Sequence, residues 1–200
     1  MARNASVDLA EESSRPTETQ AKIITVAAEL FAKQGYHATG VAELGRAVGL
    51  GAGALYHHIG SKEELLLTIL RAHLEDMYGF GTRVLAGEGT AVWRLHELAR
   101  NHMRLVAHRR TELLVMLREL DSLTGQRRAD MLALRDAVEG IWDEVIRRGV
   151  AAGELADVDP MFVKVVLGAL NYSLLWFQPE GPETPERMAD RILDMVLKTS

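Results

Sequence analysis

Apolar positions fall at helical spacing from the first regular segment onward. After Thr17 come Ile23, Ile24, Ala27, Leu30 and Phe31, and Gly35 supplies a stop, so the spacing predicts a first helix. A second, short helix is predicted from Val41 to Val48, with Leu44 and Val48 four residues apart on one face and Gly49 closing it. Gly49-Leu50-Gly51 reads as a tight turn, and a third short helix follows over about Ala52 to His58. Ser61 and Glu64 form an S-x-x-E capping box that opens a fourth helix, expected to reach about Arg83. Further starts are marked by Thr90, Thr111, the region of Gly125, Asp159 before Pro160, and Thr184 before Pro185. The last two helices are expected over Pro160 to Phe177 and Pro185 to Lys198. No alternating strand pattern competes, and the short connections suit a helical bundle.

Residues 1 to 16 are rich in Ser, Glu and Ala without apolar periodicity, which is expected of a disordered arm. Its Arg3 stands among Asp8, Glu11 and Glu12, matching neither a signal nor a transit peptide, and a cytoplasmic location is expected. The most apolar run, Met161 to Phe177, carries Lys164 and Asn171 and falls short of the ~20 residues of a membrane span. It is expected to be a buried helix, with no membrane partner. There is no cysteine, so disulfides and thiolate chemistry are excluded. Lys and Arg number 23 against 28 Asp and Glu, a net charge of −5. Over residues 1 to 62 six basic residues (Arg3, Arg15, Lys22, Lys33, Arg46, Lys62) balance six acidic ones (Asp8, Glu11, Glu12, Glu18, Glu29, Glu43). Net charge therefore gives no general attraction to nucleic acid, and any DNA reading rests on motif geometry.

That geometry is specific. Two short helices joined by a glycine-containing turn, with a helix before them, form the arrangement that places the second helix in a DNA major groove. In register stand Ala27, Leu30-Phe31, Gly35-Tyr36, Ala38-Thr39, Val41, Leu44, Gly49-Leu50, Gly53, Leu55-Tyr56-His57-His58 and Ser61-Lys62-Glu63-Glu64-Leu65. Over about Ile23 to Leu65 this run resembles, without a gap, the DNA-binding domain of the TetR family of repressors. The resemblance implies an all-α fold with a three-helix helix-turn-helix DNA-binding head and a larger helical ligand-binding and dimerisation domain. The expected division is a 1–16 arm, a 17–60 head and a 61–200 body. The resemblance also implies a homodimer bound to double-stranded palindromic operator DNA and released by a small hydrophobic effector.

Candidate DNA contacts follow residue by residue. Ala52, Gly53 and Ala54 open the third helix with almost no side chain, so its backbone N–H groups can approach phosphates closely; a tight turn would also select small residues. Tyr56 offers a phenol, to which the resemblance assigns a phosphate, against the reading of a half-buried core tyrosine. His57 and His58 lie on adjacent faces, so at most one points inward with Leu55 and Ile59. His57 is assigned to bases or phosphates and His58 partly to phosphates. Lys62 sits in the first turn of its helix, where the macrodipole disfavours a cation, and is assigned to a phosphate. Gly40 and Gly51 replace the hydroxyl residues common at those two helix starts in the family, and Ile59 replaces a usual phenylalanine. Thr39 is the candidate for the lost phosphate-side contact; a solvated Arg46 is expected.

Beyond residue 70 stand eight of the eleven aromatic residues and seven of the eight methionines, residue types that line adaptable apolar pockets as well as ordinary cores. Candidate ligand contacts are Met77, Met103 and Met116, the aromatics Tyr78, Phe80, Trp93, Trp142, Tyr172 and Trp176, and His102 and Asn171, which with Asn101 and Gln178 are polar residues set among apolar ones. Buried amides and imidazoles need partners, which a ligand or the dimer mate can supply. His96, His102 and His108 are six residues apart and turn off a common helix face, so no metal is expected, and no cofactor. An enzyme is disfavoured by the lack of a cysteine, a GxSxG elbow or a P-loop. The alternatives are a helical ligand-binding module without DNA activity and an activator in place of a repressor. The stretch Trp176-Phe177-Gln178-Pro179-Glu180-Gly181-Pro182 resembles the same region in repressors of lipid and steroid catabolism that respond to acyl-CoA thioesters. It names an acyl-CoA as the candidate effector, against a hydrophobic drug or metabolite as the competing class, with Arg94, Arg100, Arg104 and Arg118 as candidates for its phosphates or as ordinary surface arginines.

Overall fold

A computed structural model describes residues 17–197; the expected arm at residues 1–16 and Lys198 at the end of the last predicted helix lie outside the described residues. Nine α-helices are present among the described residues, without a strand: α1 (Glu18–Gln34), α2 (Val41–Val48), α3 (Ala52–Ile59), α4 (Lys62–Ala86), α5 (Ala91–His108), α6 (Arg110–Glu119), α7 (Gly125–Ala151), α8 (Phe162–Tyr172) and α9 (Pro185–Leu197). The chain forms two compact units, divided between Thr68 and Ile69. The division falls inside α4.

In the first unit α1 begins with a complete capping box, in which Thr17 Oγ1 accepts from the Gln20 N–H and Gln20 Oε1 accepts from the Thr17 N–H. Its apolar face buries Ile23, Ala27 and Phe31 and packs on α2, and Leu44, Val48 and Leu55 of the two short helices are buried in the same unit. Phe31 and Tyr36 meet edge to face at 5.3 Å, a favoured aromatic geometry. Lys22 Nζ donates to the carbonyl of Val48 at 3.1 Å, a cation on the carbonyl end of α2 where the helix dipole favours it.

In the second unit α5 packs on α7, α8 and α9. The α5–α9 contact carries a charged seam. Arg100 holds Asp190 with two hydrogen bonds of 2.8 Å each, His96 Nδ1 lies 2.8 Å from Asp190, and Arg104 Nε donates to Glu186 at 2.9 Å. Burial alone would raise the Asp190 carboxyl, but Arg100 and His96 together hold it below its ordinary value. At the other end of α7, a side chain at Gly149 would collide with Ala91 and Leu155, so that helix crossing depends on a glycine.

Several helix ends differ from the sequence expectation. The fourth helix runs on to Ala86 and ends at the glycine-rich turn that follows. Arg109 breaks the α5–α6 junction with φ −131° and ψ 40°, so α6 starts at Arg110 and not at Thr111. The penultimate helix is shorter than expected: Asp159 Oδ1 accepts from the Met161 N–H at 2.7 Å, delaying the start to Phe162. The helix then tightens at Ser173–Leu175 into a 3₁₀ turn, well before Phe177. The Ser173 hydroxyl donates to the Leu170 carbonyl, a local bond that competes with helix continuation.

Candidate DNA-reading surface and effector cavity

The helix-turn-helix is closed over a glycine. Gly49 adopts the left-handed conformation (φ 80°, ψ 28°), and the Leu50 N–H bonds the Gly45 carbonyl at 2.8 Å, the pattern of a helix ended by a left-handed glycine. This fold brings the Leu50 carbonyl to 2.7 Å from the place a Cβ would occupy on Gly45. Gly45 thus lets the turn close, a role not visible from spacing alone.

Helix α3 turns one side chain inward and leaves the others out. Leu55 is fully buried, while Ala52, Gly53, Ala54 and His57 are exposed and Tyr56 is 46% exposed. His58 is half-buried, its ring 5.7 Å from that of His57. The small residues clear the N-terminal turn, where unpaired backbone N–H groups attract anions, and Tyr56 and His57 project beside it. Gly40 and Gly51 are the N-caps of α2 and α3, both extended and both without a side-chain cap.

Two predicted DNA contacts take other positions. Thr39 is fully buried; its hydroxyl donates to the Gly35 carbonyl at 2.8 Å and accepts from Gln34 Nε2 at 3.2 Å. It holds the α1–α2 loop and does not face outward. Lys62 Nζ donates to the carbonyls of Tyr36 and Thr39, both at 2.9 Å, and lies 4.2 Å from the centroid of the Tyr36 ring. In the free chain the unfavourable first-turn cation is answered by these carbonyls, which fastens the same loop. Arg46 is exposed, as expected.

The body contains a cavity of about 460 Å³, within the size range of small-molecule sites. Leu74 and Met77 of α4, Met116 and Leu120 at the end of α6, Val138 of α7 and Leu167 of α8 form its apolar wall. His102 and Asn171 add polar atoms. Arg118, Arg135 and Lys164 line it with the carboxylates Asp121 and Glu139, three cations against two anions.

His102 is 3% exposed and the adjacent His73 1% exposed, and no ring nitrogen of either has a hydrogen-bond partner. Burial pushes His102 down to about 4, His73 adds to this, and the Asn171 carboxamide opposes it without reaching hydrogen-bond geometry, since Asn171 Oδ1 is also unpartnered. Burial likewise lowers His73 to about 4, helped by Arg109 and opposed by Asp76. Both imidazoles are neutral at pH 7.

Of the predicted ligand contacts, the structure brings Met77, His102, Met116 and Asn171 together at this cavity. Met103 is core, its sulfur 3.2 Å from the Ser173 hydroxyl oxygen; Trp142 is core as well. Phe80 is flanked by the Arg83 and Arg104 guanidinium groups, Tyr78 is 41% exposed, and Trp93 folds over Gly89. Tyr172 and Trp176 are exposed on α8 and the segment after it, where they line a separate apolar groove with Ala169, Ile192 and Met195. Among the predicted phosphate partners only Arg118 lines the cavity. Arg94 donates to the Val84 and Gly87 carbonyls, and Arg100 and Arg104 belong to the α5–α9 seam. Leu74, Arg135, Val138 and Lys164 were not predicted; they come from three different helices, and only the tertiary fold joins them.

No group of three or more His, Asp or Glu able to hold a metal occurs among the described residues. No described helix is long and apolar enough to cross a membrane.

Comparison with known proteins bears on both units. Residues 23–69 match the family model of bacterial regulatory proteins of the tetR family, and residues 88–200 match that of the tetracyclin repressor-like C-terminal domain. A curated relative, the HTH-type transcriptional repressor KstR2 of Mycolicibacterium smegmatis, is 26% identical over 188 residues, covering 92% of this chain and 91% of its own. Among solved structures, the TetR family transcriptional regulator PfmR of Thermus thermophilus is 35% identical with a TM-score of 0.80, over 88% of this chain and 97% of that one. AibR, in complex with isovaleryl coenzyme A and operator DNA, is 28% identical with a TM-score of 0.79, over 90% of this chain and 98% of its own.

Proposed function

The chain belongs to the TetR family of DNA-binding transcriptional regulators, and from that premise we propose that it is a repressor that binds palindromic operator DNA as a homodimer and leaves it when an acyl-CoA thioester or similar apolar effector enters the body. Such a regulator acts on the chromosome in the cytoplasm and carries no catalytic group. The observation that carries the DNA reading is helix α3, which buries Leu55 and presents a stripped N-terminal turn flanked by Tyr56 and His57. Two copies about one helical turn of DNA apart would place these turns in successive major grooves.

The dimer reading rests on an apolar face along α8 and α9. Val165, Tyr172, Leu175, Trp176 and Met195 are each about half exposed or more, far more apolar surface in one place than scattered surface residues explain. Gly168 lies on the same helix with nothing within 4 Å of its Cβ position, which lets a second copy come close. The effector reading rests on the cavity: an apolar wall suits an acyl chain, and the cations at its edge suit an anionic carrier. AibR supports this class, since it has been crystallised with both an acyl-CoA and its operator.

Helix α4 links the two functions. It holds Lys62 against the α1–α2 loop and carries Leu74 and Met77 to the cavity wall. A ligand that displaces the cavity end of α4 favours the state with mismatched recognition helices, and linkage then weakens operator affinity by the same factor. Enrichment of genomic fragments on the purified protein, followed by sequencing, tests the DNA half. A shared inverted repeat is expected; recovery of fragments without a common motif would contradict it.

A further inference from the structure

The cavity contains more polar capacity than the protein uses. His102 is almost wholly buried, lines the cavity, and leaves both ring nitrogens without a partner; Asn171 lines the same cavity with Oδ1 equally unpartnered. Buried polar groups are nearly always paired, and an orphan costs free energy comparable to a lost hydrogen bond. An apolar wall alone would hold an acyl chain without them. Leucine at either position would avoid the cost.

We propose that His102 and Asn171 select, among apolar effectors, those carrying a carbonyl or hydroxyl oxygen on the buried part of the molecule. This inference rests on the effector reading above and names the class within it. A neutral imidazole offers one N–H donor and one acceptor, and a carboxamide offers both kinds as well. The pair can therefore meet a ketone with a donor, or a hydroxyl with a donor and an acceptor. Arg118, Arg135 and Lys164 lie at the same cavity; Arg135 is paired with Asp136 and Lys164 with Glu139, and the anionic end of the ligand would be taken in exchange for such surface pairs. The buried oxygen and the charged end are thus read by different residues. A site built to hydrogen-bond an oxygen rejects the analogue lacking it, because its own polar groups are then buried unpaired. Hydrocarbon length is discriminated far less sharply by an apolar wall.

The test uses the full chain, with decanoyl-CoA and a set of its mono-oxo congeners bearing the ketone at successive positions. Affinities are measured by calorimetric titration for the unchanged protein, His102→Leu and Asn171→Leu. At least one congener is expected to bind the unchanged protein about tenfold or more tightly than decanoyl-CoA. Each substitution should shrink that preference to about threefold or less, the comparison being made within each variant between the congener and decanoyl-CoA. Both variants should melt at or above the temperature of the unchanged protein, since an unpaired polar group has been removed. Equal affinity for all the thioesters would overturn the inference and leave the effector reading intact. So would a preference that survives both substitutions, or a marked fall in melting temperature in both, which would make the two residues structural. Failure of every thioester to bind would overturn the effector reading itself.

Discussion

Lys62 and Tyr36 are joined twice: the ammonium donates to the Tyr36 carbonyl at 2.9 Å and sits 4.2 Å from the centroid of its ring. A second bond to the Thr39 carbonyl completes the fastening. A charge-assisted hydrogen bond contributes about 1.5–3 kcal/mol when sheltered, and a cation over a ring about 0.5–1 more. Lys62 is half-buried, so Lys62→Ala should lower head stability by about 1–2 kcal/mol. Operator binding should weaken through loss of loop geometry, with little change in its salt dependence. Chemical denaturation and a salt titration of DNA affinity check this together. An unchanged stability with a salt slope reduced by about one would restore a phosphate role.

The turn of the DNA-binding motif supplies a sharper test. With the Leu50 carbonyl 2.7 Å from the Cβ position of Gly45, a branched side chain cannot enter without opening the turn. Gly45→Val should cost about 2 kcal/mol or more and abolish operator binding. The body should remain folded and dimeric in gel filtration. By contrast, Gly51 has open space around its Cβ position and an extended backbone. Gly51→Ser should restore a cap, adding a few tenths of a kcal/mol, and should strengthen DNA binding.

Acid should destabilise the body through its two buried histidines. Their folded pKa of about 4 lies below the ordinary 6.5. Between those values the unfolded chain binds protons that the folded chain refuses, so stability is full above about 6.5 and falls as the pH drops toward 4. Each histidine accounts for about 2–3 kcal/mol over that interval. Melting curves from pH 7.5 to 5 should show the decline, and His73→Leu should flatten it. A curve that is as steep without His73 would assign the acid sensitivity to other groups.

The apolar face of α8 and α9 predicts its own disruption. Val165→Asp or Tyr172→Asp places a charge on an exposed apolar position, which costs the monomer little and a dimer interface several kcal/mol. Sedimentation should change from dimer to monomer, and operator affinity should fall with it. A dimer that persists in both variants would move the interface elsewhere.

The helices and the DNA-binding motif were legible because their signals are local. Thr17, Ser61, Thr90 and Thr184 accept backbone N–H bonds at the helix starts read from the sequence. Leu55 is buried and Tyr56 exposed as a short helix between glycines requires. Counting aromatics and methionines located the cavity poorly, because that composition serves core, cavity and apolar surface alike: Trp142 went to the core and Trp176 to the surface. Lys164 and Arg135 gave no signal at all, since a basic residue on a helix reads as solvated until the fold shows what it faces. The buried position of Thr39 and the loop partners of Lys62 were not legible for a related reason. Each residue lies next to the DNA-binding motif, and spacing does not show that a loop carbonyl, 23 or 26 residues away for Lys62, is the nearer partner.

The proposed repressor binds operator DNA in one state and an apolar effector in another. This is tested most directly by the affinity of the full chain for its operator, measured by fluorescence anisotropy across a titration of acyl-CoA. A thioester which binds the free protein should weaken operator affinity at least tenfold when saturating, and saturating operator should weaken thioester affinity by the same factor. A thioester that binds tightly while operator affinity stays constant would contradict it.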